Sequence, residues 1–456
     1  MITLVRVSLW NVMLLLTTLC LTGCTLDLQL VPTGIDVSSE SPSPSTPPAP
    51  TGPTLTISAP SVPYGSVATS FVYTVTYNDA TTVDLKDTDI TLGGPDTAGC
   101  TIAVTNGTTM TPTVTINDCA GDGLLNISIA ADTAEDADGL LAPAYGPSAN
   151  TSIQNSFIFT VDTTKGNGTD TFELPLTGWA GHDFTVYWGD GDWQDIESAT
   201  WNPGMGAIIH SYPGPDVYEI KIKGAMPYFR FGGGGDRLKI LDVKQWGTNQ
   251  WGTAQMMFAG CENLQVSAID RPDLSNVTDM RGMFMGAKAF NSPVDHWITS
   301  NVQDMSNIFM GAEAFNQPVG GWDTANATTM ASMFSDAKAF NQDISEWDTF
   351  KVTDMSFMFM GALVFDQPLV RNGNYWNTSK VTDMSSMFQN ADAFNHDISN
   401  WIFATPGLLS MEQMFFSADS FVQDISGWVL PMGVDPTLFD HQSNPAWDAS
   451  KKPTFP

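Results

Sequence analysis

The stretch VTDMSSMFQNADAFNHDISNW, from Val381 to Trp401, is one unit of a repeat that fills the C-terminal half of this chain of 456 residues. Six units of this kind each begin with a leading methionine, at Met280, Met305, Met330, Met355, Met384 and Met411. A seventh, weaker unit precedes them and begins at Ala254. Units of about 25 residues are too small to bury a core alone, so this periodicity predicts an array of stacked units.

The first half of each unit has the apolar spacing of an amphipathic helix. Positions i, i+3, i+4 and i+7 would share one helix face, and in the opening unit they are Met384, Met387, Phe388 and Ala391. The residue before each leading methionine is of a type that caps a helix N-terminus. The predicted caps are Asp279, Asp304, Thr329, Asp354, Asp383 and Ser410. A metal-binding array at these positions is disfavoured, because Thr and Ser replace Asp at two of them.

The second half of each unit is short and rich in Asn and Asp, which suits a brief strand rather than another helix. The predicted core of the repeat is Met280, Phe284, Phe290, Trp297, Met305, Phe309, Phe315, Trp322, Met330, Phe334, Phe340, Trp347, Met355, Phe359, Phe365, Trp376, Met384, Phe388, Phe394 and Trp401. One helix and one strand per unit indicate an α/β leucine-rich-repeat solenoid over residues 246–430, about seven units long, with a C-terminal cap over residues 431–456.

Two β-rich regions precede the repeats. Residues 54–165 alternate Thr, Val and Ile between turn residues, as in FVYTVTY (71–77), which indicates a β-sandwich. This region resembles bacterial Ig-like modules, including its final FIFTVDTT (157–164). Its acidic loop residues could ligate calcium, although a solvated loop is favoured for them: Asp132, Glu135, Asp136 and Asp138.

Residues 166–245 form the second β region, in which Phe184, Val186 and Trp188 alternate as in a strand with one buried face. The segments YWGDGDW (187–193) and HSYPGPDVYEIKI (210–222) resemble those of a PKD-like domain. Three carboxylates here suggest a metal site, but a tight Gly-Asp-Gly hairpin turn explains them more simply. They belong to Asp190, Asp192 and Asp195.

The charge of the chain restricts its partners. It has 49 acidic residues against 18 Lys and Arg, a formal net charge of −31. Phosphate backbones and anionic lipid surfaces are therefore disfavoured as partners, and no nucleic-acid binding is expected.

The N-terminus predicts an exported protein. Residues 1–23 have one basic residue and a short apolar run, as in a signal peptide. The end of that run, Leu21-Thr22-Gly23-Cys24, resembles a bacterial lipobox, which implies that Cys24 carries the lipid. The residue after Cys24 is not Asp, which resembles lipoproteins sent to the outer membrane. Residues 24–53 are rich in Pro and Ser and are predicted to be a tether.

The remaining cysteines fit an oxidising compartment. Cys100 and Cys119 are close enough in sequence to form a disulfide in an exported domain, where it would contribute roughly 3 kcal/mol. Cys261 stands where the other units have Ala, so it is predicted to be a small buried thiol.

No catalytic motif stands out, so an enzyme is not expected and no cofactor is predicted. The chain has no nucleophile motif around Ser or Cys. Its histidines show no paired spacing, and they are His182, His210, His296, His396 and His441.

The pattern W-(D/N)-T-x-x-V-T-D-M-S-x-M-F, with Ala, Phe and Asn following, resembles the repeat of BspA-like leucine-rich-repeat surface proteins. That resemblance implies a cell-surface protein, and some members act as adhesins. We therefore expect a monomeric, lipid-anchored protein whose repeats bind a protein or glycan on another cell or matrix. There are two alternatives. One is carbohydrate binding by the PKD-like domain and by the row of repeat tryptophans from Trp297 to Trp428, which we call the Trp ladder. The other is a passive structural spacer.

The residues that the repeat pattern leaves variable are the predicted contacts. Across the array they are Lys288, Glu313, Lys338, Gln317, Gln342, His296 and Glu346. In the opening unit they are Gln389, Asn390, Asp392, Asn395 and His396.

Overall fold

A computed structural model describes residues 52–176, 181–197, 207–371, 374–403 and 407–456. The predicted signal peptide, the predicted lipid site Cys24 and nearly all of the predicted tether lie outside these residues. Two units are longer than 25 residues, and their extra residues, around 370–376 and 403–407, are described only in part. Within the described residues the chain forms strands and turns, with short 3-10 helices at Asp87–Asp89 and Ala449–Lys451 and no α-helix.

The strands are short and concentrate before residue 246. In chain order they are β1 (Thr54–Ile57), β2 (Tyr64–Gly65), β3 (Phe71–Asn78), β4 (Thr82–Val83), β5 (Ile90–Gly93), β6 (Thr101–Thr105), β7 (Thr113–Asn117), β8 (Gly123–Ile129), β9 (Ala134–Glu135), β10 (Thr151–Ile153), β11 (Phe157–Asp162), β12 (Thr171–Glu173), β13 (Asp183–Tyr187), β14 (Trp193–Glu197), β15 (Ile209–Ser211), β16 (Val217–Ala225), β17 (Ile240–Gln245), β18 (Gln265–Val266), β19 (Val370–Arg371) and β20 (Asn374–Tyr375).

The first β region is built from two four-stranded sheets, in the orders β1-β3-β7-β6 and β2-β10-β8-β5. Alternate residues of β3, beginning with Phe71 and Tyr73, point into a core that both sheets share. A disulfide joins Cys100 to Cys119, beside the strands β6 and β7. The alternating Thr, Val and Ile of this region therefore supply one buried face for each sheet. We call residues 54–153 the sandwich.

The strand β11 does not end the sandwich, as its resemblance to an Ig-like module implied. It lies inside a six-stranded sheet of order β14-β13-β16-β11-β17-β18, paired antiparallel with β16 on one side and β17 on the other. The boundary at residue 165 is therefore wrong, and the sandwich ends before Phe157. Alternation predicts that a segment is a strand, but it does not identify the neighbouring strands.

The second β region and the repeats share one hydrophobic core, which extends from Phe157 to Trp447. The sandwich has a separate core. Parallel pairing of β17 with β18, at the start of the repeats, continues the six-stranded sheet into the array. The chain after residue 156 is therefore one continuous structure, which the predicted boundary at residue 245 does not divide.

The predicted α/β leucine-rich-repeat solenoid is wrong, because residues 246–430 contain no α-helix in the part of the chain that the structure describes. The segments predicted as helices are successions of turns. The second and sixth residues after each leading position have left-handed backbone, as at Ser332 (φ 55°) and Asp336 (φ 56°). Left-handed residues cost roughly 1–2 kcal/mol each and cannot continue a right-handed helix. The apolar positions i, i+3, i+4 and i+7 nevertheless all point inward in this coil.

The backbone hydrogen bonds explain why the coil replaces the helix. In each unit, alternate N–H groups donate to carbonyl groups of the next unit, as from Met330, Ser332 and Phe334 to Asp354, Ser356 and Met358. The N–H groups between them close turns within the unit, as from Met333 to Met330. In an α-helix these backbone N–H groups would all donate within the unit, whereas here about half of them donate to the next unit. We call residues 246–442 the repeat stack.

The predicted N-cap residues form corners rather than helix starts. Each of the six accepts a hydrogen bond from the backbone N–H two residues later, as Asp354 Oδ1 does from Ser356 at 2.9 Å. They also form a row of single parallel bridges from Asp279 to Asp435. Similar corners occur at two further positions of the units, at Asp343, Asp397 and Asp424 and at Asp323, Asp348 and Asn377. Many of the acidic residues are therefore turn formers.

Two columns of phenylalanine rings run through the stack. In one, from Phe284 to Phe415, neighbouring ring centroids are 5.5–5.9 Å apart, and in the other, from Phe290 to Phe421, they are 5.8–6.0 Å apart. All twenty side chains predicted as repeat core are at most 3% exposed. Trp447, which follows the repeat stack in the chain, packs edge-on against Phe415 and Phe421 and covers that end of the columns.

A brief strand was predicted in the second half of each unit, but the described residues have strands there in two units alone, β18 in one and β19 with β20 in the other, each of two residues. An asparagine ladder joins neighbouring units there instead. Asn291 Oδ1 accepts a hydrogen bond from the backbone N–H of Asn316, and Asn316 Oδ1 accepts one from Asn341, each at 2.9 Å. Side-chain amides thus satisfy backbone groups that strand pairing would otherwise satisfy.

Candidate binding surfaces

Three charged residues predicted as ligand contacts, Lys288, Glu313 and Lys338, are paired between neighbouring units. Lys288 Nζ lies 3.0 Å from Glu262 Oε1, and Lys338 Nζ lies 2.9 Å from Glu313 Oε2. These ion pairs are solvent-exposed, and such pairs contribute little to stability. Their charges are largely balanced along this row, so it offers little net charge to a ligand.

The predicted polar contacts are also used between units. Gln317 and Gln342 donate to the asparagine ladder, at 3.0 and 2.9 Å. Asn395 continues that ladder by accepting from the backbone N–H of Val422, and His396 Nε2 lies 3.1 Å from the carbonyl oxygen of Asp366. His296 Nε2 lies 3.3 Å from the Asp270 carbonyl oxygen.

The opening unit contributes three further predicted contacts. Gln389 and Asn390 are half-buried, and Asn390 occupies the left-handed position of its unit. Burial and the neighbouring Asp419 raise the pKa of the Asp392 carboxyl. The structure therefore gives most of the predicted contact residues a role in the array.

Large apolar side chains instead mark the exposed surface at the C-terminal units of the stack. Ile402 is 70% exposed and Val429 is 82% exposed, and they occupy the same position in consecutive units, directly after the Trp. Leu409 and Met432 are 69% and 81% exposed. This surface was not predicted. A signal was present in the sequence, since three central units have a turn-forming Asp or Asn at the position of Ile402.

The Trp ladder is unavailable to a ligand. The six repeat tryptophans from Trp297 to Trp428 are 1–4% exposed. Trp322 and Trp347 also donate from Nε1 to the carbonyl oxygens of Val294 and Val319 in the preceding unit. Carbohydrate binding through this ladder would require its rings to leave the core.

The acidic loop of the sandwich does not gather three carboxylates around one point. Asp136 Oδ1 accepts hydrogen bonds from the backbone N–H groups of Asp138 and Leu140, so it shapes the loop. Among the described residues, one group of three metal-ligating side chains converges, with ligand atoms within 4.8 Å of one another. Its members are Asp190, Asp192 and His210.

That group fixes the hairpin between β13 and β14. Asp190 Oδ2 lies 2.7 Å from His210 Nε2, and Asp190 Oδ1 accepts from the backbone N–H of Asp192. The His210 ring stacks on Trp188, with centroids 4.7 Å apart and planes 7° apart, and Tyr212 packs edge-on against it. Asp195, the third residue of the predicted set, accepts from Thr185 instead. These contacts stabilise a hairpin turn at the Gly-Asp-Gly segment, as predicted from the sequence.

Titration behaviour in this cluster follows from burial and pairing. Burial alone would raise the pKa of Asp190, but hydrogen bonds from His210 and from the Asp192 N–H hold it below its ordinary value. Burial raises the pKa of Tyr212, with a smaller contribution from the Asp190 charge. The Asp190 carboxylate therefore remains charged and keeps the turn closed at neutral pH.

The free thiol of Cys261 lies in the core of the repeat stack. Burial raises the pKa of this thiol well above its usual value. A protonated, buried thiol is a poor nucleophile, so Cys261 behaves as a small apolar side chain.

Comparison with known proteins covers only the repeats. A family model described as "Mycoplasma protein of unknown function, DUF285" matches residues 253–372 and 344–436, less than half of the chain. No curated protein and no solved structure matches the chain. The repeat stack is thus similar to a family whose description states no function. None of the helices in the described part of the chain has the length and apolar composition that a membrane span requires.

Proposed function

We propose that this chain is a lipid-anchored bacterial cell-surface protein that binds a protein ligand through the C-terminal units of its repeat stack. The observation that carries the proposal is the exposure of Ile402 and Val429, at 70% and 82%, at one position of consecutive units. Apolar residues that are exposed next to one another on a soluble surface are typical of protein interaction sites.

The rest of the stack supports this assignment. The Met, Phe and Trp side chains predicted as repeat core are buried, and the charged and amide rows are paired between units. Exposed apolar residues that make no contact between units therefore indicate a binding surface. Leu409 and Met432 add to the exposed apolar surface of the same units. Apolar anchors at the centre of an interface supply most of the binding free energy.

The rigidity of the stack favours recognition as well. Hydrogen bonds and aromatic columns connect each unit to the next, so neighbouring exposed positions are held in fixed register. A preformed surface loses little conformational entropy on binding. The formal net charge of −31 makes a basic or neutral protein surface the favoured partner.

Binding is tested with the full mature chain on immobilised matrix proteins and on whole cells. Ile402→Asp and Val429→Asp should each weaken binding at least tenfold, because each places a charge in the apolar surface. Ile298→Asp is the matched control, since Ile298 occupies the same position in an N-terminal unit and is half exposed. Equal binding by all three variants, or no binding by the parent chain, would contradict the proposal.

The anchor requires a separate test. Cells expressing the chain are labelled with a radioactive fatty acid, and the label should appear in the parent and disappear in Cys24→Ser. A Cys20→Ser variant is the control, because Cys20 lies in the predicted signal peptide. Retention of label by Cys24→Ser would exclude Cys24 as the lipid site.

A further inference from the structure

Two exposed aromatic rings stand side by side on the β13–β14 hairpin. Tyr187 and Trp193 are directly opposed in the antiparallel pair, so their side chains lie on the same face of the sheet. Tyr187 is 42% exposed and Trp193 is 60% exposed. On the opposite face of the same strands, Phe184 and Ile196 are directly opposed and buried in the core. The hairpin therefore places one apolar residue pair inside and one outside.

The outer pair has no structural role that explains its size. Among the described residues, neither ring makes an aromatic contact with the other or with a third ring, in contrast to Trp188 one residue further along. Trp193 lies on β14, the outermost strand of the six-stranded sheet, and Tyr187 lies on the neighbouring strand β13. A Thr or a charged residue would satisfy an exposed edge strand equally well.

The hairpin that carries the pair is rigid. The turn between Tyr187 and Trp193 is closed by Asp190, which accepts from the Asp192 N–H and lies 2.7 Å from Nε2 of the partly buried His210 ring. The backbone N–H of Trp188 also donates to the Asp192 carbonyl oxygen, at 3.0 Å. A ligand that stacks on both rings would meet a preorganised surface.

We propose that Tyr187 and Trp193 form a stacking platform for the rings of a saccharide without acidic groups. The apolar C–H face of a sugar ring packs on an aromatic face, while its hydroxyl groups need donors and acceptors at the rim. The exposed carboxylates of Asp192 and Asp195 supply acceptors beside Trp193, and the Tyr187 hydroxyl supplies a donor. These carboxylates and the formal net charge of −31 repel acidic glycans.

A cationic ligand fits this surface less well. Cations bind aromatic residues most strongly where several rings enclose and desolvate them. The two rings here lie on one open face, and an exposed cation–π contact is worth only roughly 0.5–1 kcal/mol. The platform is separate from the repeat stack and does not depend on the proposed protein binding.

Calorimetry and Trp fluorescence of the full mature chain test the platform with cellohexaose and chitohexaose as probes. At least one of these neutral oligosaccharides should bind, Trp193→Ala should weaken that binding at least tenfold, and Tyr187→Ala should weaken it severalfold. Both variants should keep the parent melting temperature, because both rings are exposed. Phe350→Ala, at a half-exposed ring of the repeat stack, should bind as the parent does.

Three results would overturn the platform: no binding of either oligosaccharide, full binding by Trp193→Ala, or Trp193-dependent binding of poly-L-lysine alone. Polygalacturonate is the acidic probe, and it should not bind. Ile402→Asp separates the two proposals, since it should lose protein binding and keep oligosaccharide binding.

Discussion

The sandwich and the repeat stack both bury apolar residues at regular intervals, but they use their backbones differently. In the sandwich, alternation along β3 gives one buried face, and the N–H groups pair with neighbouring strands. In the stack, the apolar residues have helical spacing, yet alternate N–H groups bond to the next unit. Side-chain burial alone therefore does not determine backbone conformation. The acceptors of the backbone N–H groups distinguish the two structures: they lie within the same unit in a helix and, for alternate N–H groups, in the next unit in a stacked coil.

The largest effect is expected from a cavity in the aromatic columns. Phe334→Ala removes a ring that contacts Phe309, Phe340 and Phe359 and is fully buried. The loss should be about 4 kcal/mol of the free energy of unfolding. Amide hydrogen exchange should show lost protection in the units on both sides, because the units share this core, and unchanged protection in the sandwich.

The control is Phe350→Ala, which removes a half-exposed ring with Lys380 Nζ 3.8 Å from its centroid and should cost no more than about 1 kcal/mol of the free energy of unfolding. Lost protection confined to the mutated unit would show that the columns do not couple the units.

The converse experiment perturbs only the sandwich. Cys100→Ala together with Cys119→Ala removes the disulfide and should lower the stability of the sandwich by about 3 kcal/mol. Its core is separate from the core of the repeats. Scanning calorimetry should therefore show one transition at a lower temperature and a second one unchanged. A shift of both transitions would mean that the two cores unfold together.

The junction between the sandwich and the six-stranded sheet should lose stability in acid. Asp122 is buried where the sandwich meets the six-stranded sheet, with its carboxylate 2.8 Å from Lys221 Nζ and bonded to the N–H groups of Asn155 and Ser156. Burial alone would raise the pKa of Asp122, but these partners hold it below its ordinary value. Its contribution to stability is therefore complete above the unfolded-state pKa of about 3.9 and is lost as pH falls through the folded-state pKa.

Asp122→Asn should cost about 2 kcal/mol at neutral pH, since a charged hydrogen-bond acceptor is lost. Melting temperatures between pH 7 and pH 3 should fall less steeply for the variant than for the parent. The same slope in both proteins would show that Asp122 does not govern the acid response of the junction.

Much of the fold was predictable from the sequence. The strands of the sandwich follow from alternation, and the burial of residues such as Met384 and Phe388 follows from the repeat. The backbone of the repeats was not predictable from the same pattern, because a helix and the observed coil both place those residues inside. Left-handed φ values at Asn307 or Phe357 leave no reliable mark in the residue type.

The candidate surfaces were harder to predict than the core. The variable polar residues of the repeat, such as Gln342 and Lys338, make contacts between units that no spacing indicates. Ile402 could have been noticed because it replaces a turn-forming residue, whereas the exposure of Trp193 depends on which face of β14 meets the core. That face is determined by strand pairing, which the sequence of one hairpin does not determine.

The coil at Ser332 is the most direct test of the account. Ser332 has a φ of 55° and occupies the position where Gly282 stands in an earlier unit. Left-handed backbone favours Gly over Ala, whereas an α-helix favours Ala over Gly by about 1 kcal/mol. The free energies of unfolding of Ser332→Gly and Ser332→Ala should therefore be compared by denaturant titration. Ser332→Gly should be the more stable by about 1 kcal/mol, and a more stable Ser332→Ala would contradict a left-handed turn at this position.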